Sequence, residues 1–256
     1  MITSVNNDKI KNVIKLLTNS KARRMQQAFV VEGERIVSEI PPGRILECFV
    51  SESFAKEKQD FLLEISDYEV VDDNIFRKMA DTQNPQGILC VVKMEQRQLT
   101  NLLSEHTEGS LHLLLLEGIQ DPGNMGTMIR TAEGAGFDAV ISDRNTVDIY
   151  NPKVVRSTMG SMFRVPVVYT DDFINALDLV KSYHVYLYAA HLNGKNNYFN
   201  EHYPDRCAIM IGNEGKGLSK SASDMADVLV KIPMKGQLES LNASVAAALL
   251  MYEVGR

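Results

Sequence analysis

The segment LHLLLLEGIQDPGNMGTMIRTAEGAG, residues 111–136, does most to predict the fold of this chain. Its first six residues are almost continuously apolar, which is typical of a parallel strand that is covered on both faces. A turn with Pro122, Gly123 and Gly126 follows, and the next residues suit a helix. Because glycine lacks a Cβ, such a turn can bring the backbone close to a ligand. The segment therefore predicts a strand, a loop and a helix of an α/β fold.

The chain after this segment repeats the alternation of short apolar runs and helical patterns, which favours a parallel sheet with helices on its faces. The predicted strands of this half are residues 111–116, 139–142, 165–168, 185–190, 207–211 and 228–232. The predicted helices lie near residues 125–135, 152–159, 171–182, 219–225 and 243–254.

Residues 1–95 predict a second, smaller α/β domain. Its first helix, over residues 6–18, has apolar residues at the spacing of one helical face. Strands are predicted at 28–31, 45–51, 68–71 and 88–92, and helices near 33–40, 53–65 and 73–80. Residues 96–110 are polar with few apolar anchors and are interpreted as a linker to the larger domain, residues 111–256.

The composition is that of an ordinary globular protein, with 45% hydrophobic and 23% charged residues. The longest apolar run, residues 113–116, is far too short to cross a bilayer, and the N-terminus lacks the apolar core of a signal peptide. A cytoplasmic protein is expected. The three cysteines form no CxxC pair, and the five histidines have no ligand spacing, so no metal site is expected.

The net charge of −6 is unfavourable for binding nucleic acid, because phosphate contacts require lysine and arginine. Residues 1–24 differ from this average, with six lysines and arginines against a single aspartate. A solvated helix face is the ordinary explanation of such a run. A surface that faces phosphates is the alternative.

Two further glycine-containing segments follow predicted strands: IGNEGKGL, residues 211–218, and IPMKGQLESLNASVAAALLMYE, residues 232–253. Taken singly, each is more often structural punctuation than a site. The loop near residue 121 is not a P-loop, and it lacks the fingerprint of a nicotinamide dehydrogenase.

In this order the three segments resemble the motifs of the SpoU family of RNA 2′-O-methyltransferases, which belongs to the SPOUT superfamily. The motifs read DPxNxGxxxRTA, GxExxGL and IPMxGxxxSLNxSVA, and the resemblance covers about residues 112–253. Residues 150–167 resemble the family's intermediate segment, and residues 29–37, FVVEGERIV, are similar to its appended substrate-binding domain. Ala243 departs from the valine of many relatives, which is a change of packing only.

The resemblance implies an α/β protein: a C-terminal parallel-sheet SPOUT domain threaded into a trefoil knot, and a small N-terminal substrate-binding domain. Knots are otherwise essentially absent from proteins, so only the resemblance supports this one. It also implies S-adenosylmethionine bound in the knot by main-chain groups, and a homodimer. The matching cofactor-binding positions are Ala190, Gly212, Ile232 and Leu241.

The implied reaction transfers a methyl group to a ribose 2′-hydroxyl of RNA. The matching catalytic positions are Arg130, Asn124, Glu214, Ser240 and Asn242. A guanidinium is fully protonated and cannot accept a proton, so Arg130 is expected to anchor a phosphate and to stabilise negative charge on the 2′-oxygen. Glu214 is expected to fix the loop or Arg130. The residues expected to contact RNA are Lys21, Arg23, Arg24, Arg35 and Arg156.

The RNA itself is left open by these motifs. The separate N-terminal domain favours ribosomal RNA of the 23S type, because compact relatives that act on transfer RNA commonly lack such a domain. A transfer-RNA methyltransferase and a non-catalytic RNA-binding factor for ribosome assembly are the alternatives.

Overall fold

The computed structural model describes residues 1–65 and 67–254. The chain forms two compact units. Unit 1 comprises Met1–Glu95 and Tyr150–Phe163, and unit 2 comprises Gln96–Ile149 and the chain from Arg164 onward.

The described helices and strands alternate along most of the chain. The helices are α1 (Asp8–Thr18), α2 (Ser20–Gln26), α3 (Glu34–Val37), α4 (Glu52–Glu57), α5 (Gln59–Leu62), α6 (Asp73–Met79), α7 (Leu99–Ser104), α8 (Pro122–Gly134), α9 (Pro152–Thr158), α10 (Phe173–Ser182), α11 (Lys220–Met225) and α12 (Ala243–Val254). The strands are β1 (Ala28–Glu32), β2 (Ile45–Ser51), β3 (Glu69–Val71), β4 (Ile88–Lys93), β5 (Leu111–Leu116), β6 (Ala139–Asp143), β7 (Val167–Thr170), β8 (Tyr186–Ala190), β9 (Asn196–Asn197), β10 (Arg206–Ile211) and β11 (Val228–Lys231). Short 3₁₀ helices lie at Ser161–Phe163 and Tyr198–Asn200.

The sheet of unit 2 has the strand order β7-β6-β5-β10-β8-β11-β9. The described pairings in it are all parallel. Leu113 and Leu115 of β5 are fully buried in the core of this unit, as the continuous apolar run predicts. Because β5 lies between β6 and β10, the loops after these three strands meet at one edge of the sheet.

Helix α8 begins directly after the loop that follows β5. The Asp121 side chain accepts a hydrogen bond from the Asn124 backbone N–H at 2.8 Å, and Pro122 occupies the first turn, where its missing N–H is harmless. These two features explain why the helix starts at residue 122.

The sheet of unit 1 is mixed and has the order β1-β4-β2-β3. Strand β4 is antiparallel to β1 and β2, whereas β2 and β3 are parallel. Helix α1 buries the apolar face that its spacing predicts, and these side chains join Phe49 and Phe76 in one core. Residues 150–163 complete the unit, and the Tyr150 ring lies 4.6 Å from that of Phe29.

The predicted α/β architecture with a parallel C-terminal sheet is confirmed, and β2 and β5 have the predicted bounds. Two segments differ from the expected division of the chain. Residues 96–110 are not an open linker, because they contain α7, whose Leu102 and Leu103 are buried in the core of unit 2. Residues 150–163 lie in unit 1, where their aromatic rings pack on Phe29, and not in the larger domain. Helix α2 and the two-residue strand β9 were not predicted.

Within residues 1–65 and 67–254, no helix combines the length and apolarity that a membrane span requires.

Candidate functional site

The candidate site lies at the edge of unit 2 where β5, β6 and β10 end. The loop after β5 carries the first motif, the loop after β10 carries the second, and the third leads into α12. The sheet order therefore brings residues that are about 90 positions apart in the sequence to one place.

The carboxylate of Glu214 joins the second motif to the first. It accepts hydrogen bonds from the backbone N–H groups of Gln120, at 3.1 Å, and Asp121, at 3.0 Å. It also accepts one from Nδ2 of Asn124 at 3.0 Å. Of the two roles expected for Glu214, these contacts match the fixing of the loop, since none of them involves Arg130.

Asn124 and Asn242 join the first motif to the third. Nδ2 of Asn242 donates to Oδ1 of Asn124 at 3.0 Å, and Asn124 is buried. Oδ1 of Asn242 accepts from the backbone N–H of Ser244 at 2.9 Å, which caps the start of α12. Glu214, Asn124 and Asn242 thus form one chain of hydrogen bonds, which we call the motif network.

Two opposing effects set the pKa of Glu214. Partial burial disfavours the charged carboxylate and raises the pKa. The hydrogen bonds from Asn124 and from the backbone N–H groups favour the charged form, and they hold the pKa below its ordinary value. Glu214 is therefore a charged acceptor at neutral pH.

Arg130 and Ser240 lie outside the motif network. Both side chains are exposed, and Arg130 is in the third turn of α8. In the part of the chain that the structure describes, neither makes a hydrogen bond or an ion pair with protein. The guanidinium of Arg130 and the hydroxyl of Ser240 are therefore available to a ligand.

Three of the four expected cofactor positions lie at the ends of neighbouring strands. Ala190 ends β8, Gly212 follows β10 and Ile232 follows β11, while Leu241 precedes α12. A Cβ on Gly212 would lie 2.1 Å from backbone atoms of Gly217 and Leu218, so only glycine permits this loop to fold back so closely.

At two of these positions, main-chain groups have no protein partner within the described residues. Ile232 and Leu241 are half-buried, and among the described residues no protein group bonds to their backbone N–H or C=O. A ligand recognised by main-chain atoms fits here, because the described protein groups leave these backbone donors and acceptors free.

The five basic residues predicted to contact RNA differ in exposure and in protein partners. Lys21, Arg24 and Arg35 are exposed, as an RNA contact requires. Arg156 is half-buried and forms an ion pair with Asp81. Arg23 is only 4% exposed and donates to the C=O of Leu16 at 2.9 Å. The prediction that Arg23 contacts RNA does not fit this burial, because its guanidinium satisfies the last carbonyls of α1.

Sequence reasoning missed Asp143, the last residue of β6, and Thr146, in the turn after it. Both are 6% exposed, and both accept hydrogen bonds from the loop of the first motif. The only sequence signal is a polar cluster after an apolar strand, which is also typical of an ordinary turn. Among the described residues, no three histidine, cysteine, aspartate or glutamate side chains are grouped as a metal ion would require.

Comparison with protein families gives two matches. Residues 112–252 match the model of the SpoU rRNA Methylase family, and residues 7–90 match the MRM3-like substrate binding domain. The first match covers more than half of the chain and contains the whole motif network.

Individual relatives match nearly the entire chain. The 23S rRNA (guanosine(2553)-2′-O)-methyltransferase RlmP of Bacillus subtilis (strain 168) is 35% identical, over 99% of this chain and 98% of its own. The SpoU methyltransferase AviRb of Streptomyces viridochromogenes, in complex with the cofactor AdoMet, superposes with a TM-score of 0.86 at 25% identity, over 97% of this chain and 98% of its own. An AdoMet-bound rRNA methyltransferase of Sinorhizobium meliloti gives a TM-score of 0.84 at 26% identity, over 99% and 96% of the two chains. With this match along its full length and the three motifs joined in one network, the chain belongs to the SpoU rRNA methylase family.

Proposed function

We propose that this protein transfers a methyl group from S-adenosylmethionine to a ribose 2′-hydroxyl in 23S-type ribosomal RNA. The observation that carries the proposal is the motif network, in which Glu214, Asn124 and Asn242 join the three family motifs at one sheet edge. The full-length similarity to a relative named as a 23S rRNA 2′-O-methyltransferase supports the choice of RNA.

The main-chain groups of Ile232 and Leu241, which bond to no protein group that the structure describes, suit the cofactor. The backbone of Ala190, Gly212, Ile232 and Leu241 would hold it, since a main-chain site requires close approach and the loop after β10 is tightly folded. S-adenosylmethionine supplies an activated methyl group on a sulfonium ion, so the protein has to orient the acceptor and manage one proton.

Arg130 is the residue that we assign to charge stabilisation. Its side chain is exposed, and a guanidinium is a cation with donors and no acceptor, so it can bind a phosphate and stabilise negative charge on the 2′-oxygen but cannot act as a base. Ser240 is placed to hydrogen-bond ribose or phosphate. Asn124, Asn242 and Glu214 hold the loops that present these groups.

Unit 1 is proposed to bind the RNA through Lys21, Arg24 and Arg35. Each is exposed, and the match of residues 7–90 to a substrate-binding domain supports the assignment. The presence of this domain favours ribosomal RNA over transfer RNA. The non-catalytic alternative is disfavoured because all five motif residues are present and three of them are joined.

We further propose a homodimer, a trefoil knot in unit 2 and a cytoplasmic location, where ribosomal RNA would be available. Helix α12 supports the dimer, because it is apolar around most of its circumference and leaves Val245 and Tyr252 47% and 59% exposed. The full-length likeness to SPOUT-type relatives supports the knot.

A transfer assay tests the reaction and the RNA together. The purified protein is incubated with methyl-labelled S-adenosylmethionine and, separately, with unmodified 23S rRNA, 16S rRNA or bulk transfer RNA. We expect label in 23S rRNA alone, recovered as a 2′-O-methylated nucleotide. Label in transfer RNA would support the first alternative, and no transfer to any RNA would support a non-catalytic factor.

A further inference from the structure

The loop Gly118–Asp121, which we call the β5 loop, is held from both flanks by side chains. On the β10 side, Glu214 accepts from the N–H groups of Gln120 and Asp121. On the β6 side, Asp143 accepts from the Gly118 N–H at 2.9 Å, and Oγ1 of Thr146 accepts from the Ile119 N–H at 3.0 Å. Side chains thus satisfy four successive N–H groups, two of them from the β10 side and two from the β6 side.

Asp143 and Thr146 act as a single unit. Oγ1 of Thr146 donates its proton to Oδ1 of Asp143 at 2.7 Å, which leaves its lone pairs to receive the Ile119 N–H. The Thr146 backbone N–H also donates to Asp143, at 3.1 Å. Because both side chains are nearly completely buried, water cannot replace these bonds when one is removed.

The β5 loop determines where the motif residues lie. It ends at Asp121, which caps α8, and the first turn of α8 contains Asn124 of the motif network. Arg130 is two turns further along the same helix. A shift of the loop therefore moves residues that the proposed reaction requires in fixed positions, and a misplacement of about 1 Å can lower a rate by roughly 10²-fold.

We propose that Asp143 and Thr146 are positioning residues for methyl transfer, fixing from the β6 side the loop that Glu214 fixes from the β10 side. The inference rests on the proposed function. It adds two residues outside the three motifs, and they act through the β5 loop without touching the substrate.

The test compares Thr146→Val with Thr146→Ser. Valine has nearly the same shape but lacks the hydroxyl, whereas serine keeps it. We expect Thr146→Val to lower kcat by about tenfold or more while KM for RNA stays unchanged, and Thr146→Ser to retain the wild-type kcat. Ile141→Val in β6 is the matched control, because it removes a buried methyl group without touching the loop, and its kcat should be that of the wild type.

Hydrogen exchange gives a readout that does not depend on activity. The Gly118 and Ile119 amides should exchange faster in Thr146→Val than in the wild type, and no faster in Ile141→Val. Should Thr146→Val fold poorly, Asp143→Asn serves instead, because its neutral amide is a weaker acceptor and should shift kcat and exchange in the same direction.

Unchanged exchange at Gly118 and Ile119 in Thr146→Val would overturn the inference, as would a wild-type kcat in that variant. An equal loss of kcat in Ile141→Val would overturn it too, because the effect would then be one of stability. A wild-type protein that methylates no RNA would instead refute the proposed function, and the exchange measurement would still show whether the pair fixes the loop.

Discussion

Arg130 is exposed, and unlike Asn124, Asn242 and Glu214 its side chain has no protein partner among the described residues. A side chain that contacts only substrate should stabilise the transition state and contribute little to the stability of the fold. We expect Arg130→Ala to lower the single-turnover rate of methyl transfer by roughly 10²-fold or more, with cofactor affinity by calorimetry unchanged. Arg130→Lys keeps the positive charge but lacks the planar guanidinium. Its single-turnover rate should therefore lie between those of the wild type and Arg130→Ala. A near-normal rate in Arg130→Ala would refute the assignment.

Glu214 should make the stability of the site depend on pH. Its folded pKa lies below the ordinary value of 4.5, so its hydrogen bonds stabilise the folded state above that value and are lost as the pH falls through the folded pKa. Glu214→Gln removes the charge but keeps the shape. The wild type should therefore have the higher Tm at about pH 7, and the difference should shrink as the pH is lowered below the ordinary pKa. A Tm difference that stays constant over this range would contradict the assignment.

At the scale of elements, Arg23 and Arg24 are adjacent in α2 but should act differently. The buried Arg23 satisfies carbonyls at the end of α1, so Arg23→Ala should lower the free energy of unfolding by about 1–3 kcal/mol. Arg24→Ala should leave stability unchanged but weaken RNA binding and reduce the slope of log K against log salt by about 1. Chemical denaturation and salt-dependent binding measure the two effects. Equal effects of both substitutions on RNA binding would contradict this division.

The elements that sequence patterns predict well are those whose burial is continuous or periodic. Strand β5 is apolar except at His112, and α1 repeats its apolar positions at helical spacing, so sequence patterns predict both. Helix α7 is six residues long, and only its tertiary contacts show that Leu102 and Leu103 are buried. The polar residues that surround it in the segment 96–110 therefore predict a linker.

The site could be predicted only where side chains form part of a motif. Asn124, Asn242 and Glu214 were identified in this way, and the structure joins them. Asp143 and Thr146 accept hydrogen bonds from backbone N–H groups of the loop after β5, the strand next to β6. The sheet order, and not the local sequence, determines such partners. The burial of Arg23 could not be predicted for the same reason, because the local sequence does not show that its guanidinium reaches the carbonyls of α1.

At the scale of the whole molecule, residues 150–163 show how distant sequence contributes to one core. Tyr150 and Phe163 pack on Phe29, which lies more than a hundred positions earlier and is fully buried. Sequence patterns assign residues 150–163 to the larger domain because they lie between β6 and β7, two strands of that domain.

The proposed homodimer gives a prediction for the molecule in solution. The protein should have the mass of two chains by light scattering, and Val245→Lys on α12 should shift it toward one chain, because a charge in an apolar interface is costly. Leu63→Lys changes an exposed apolar residue of unit 1 and serves as the control that stays dimeric. A monomeric wild type would refute this part of the proposal.

The proposed reaction is tested most directly by mapping 2′-O-methylation across total RNA from cells that lack the gene. We expect one mark in 23S rRNA to disappear, to return with the wild-type gene, and to stay absent with Arg130→Ala. An unchanged methylation map, a lost mark in transfer RNA, or restoration by Arg130→Ala would contradict the proposed function.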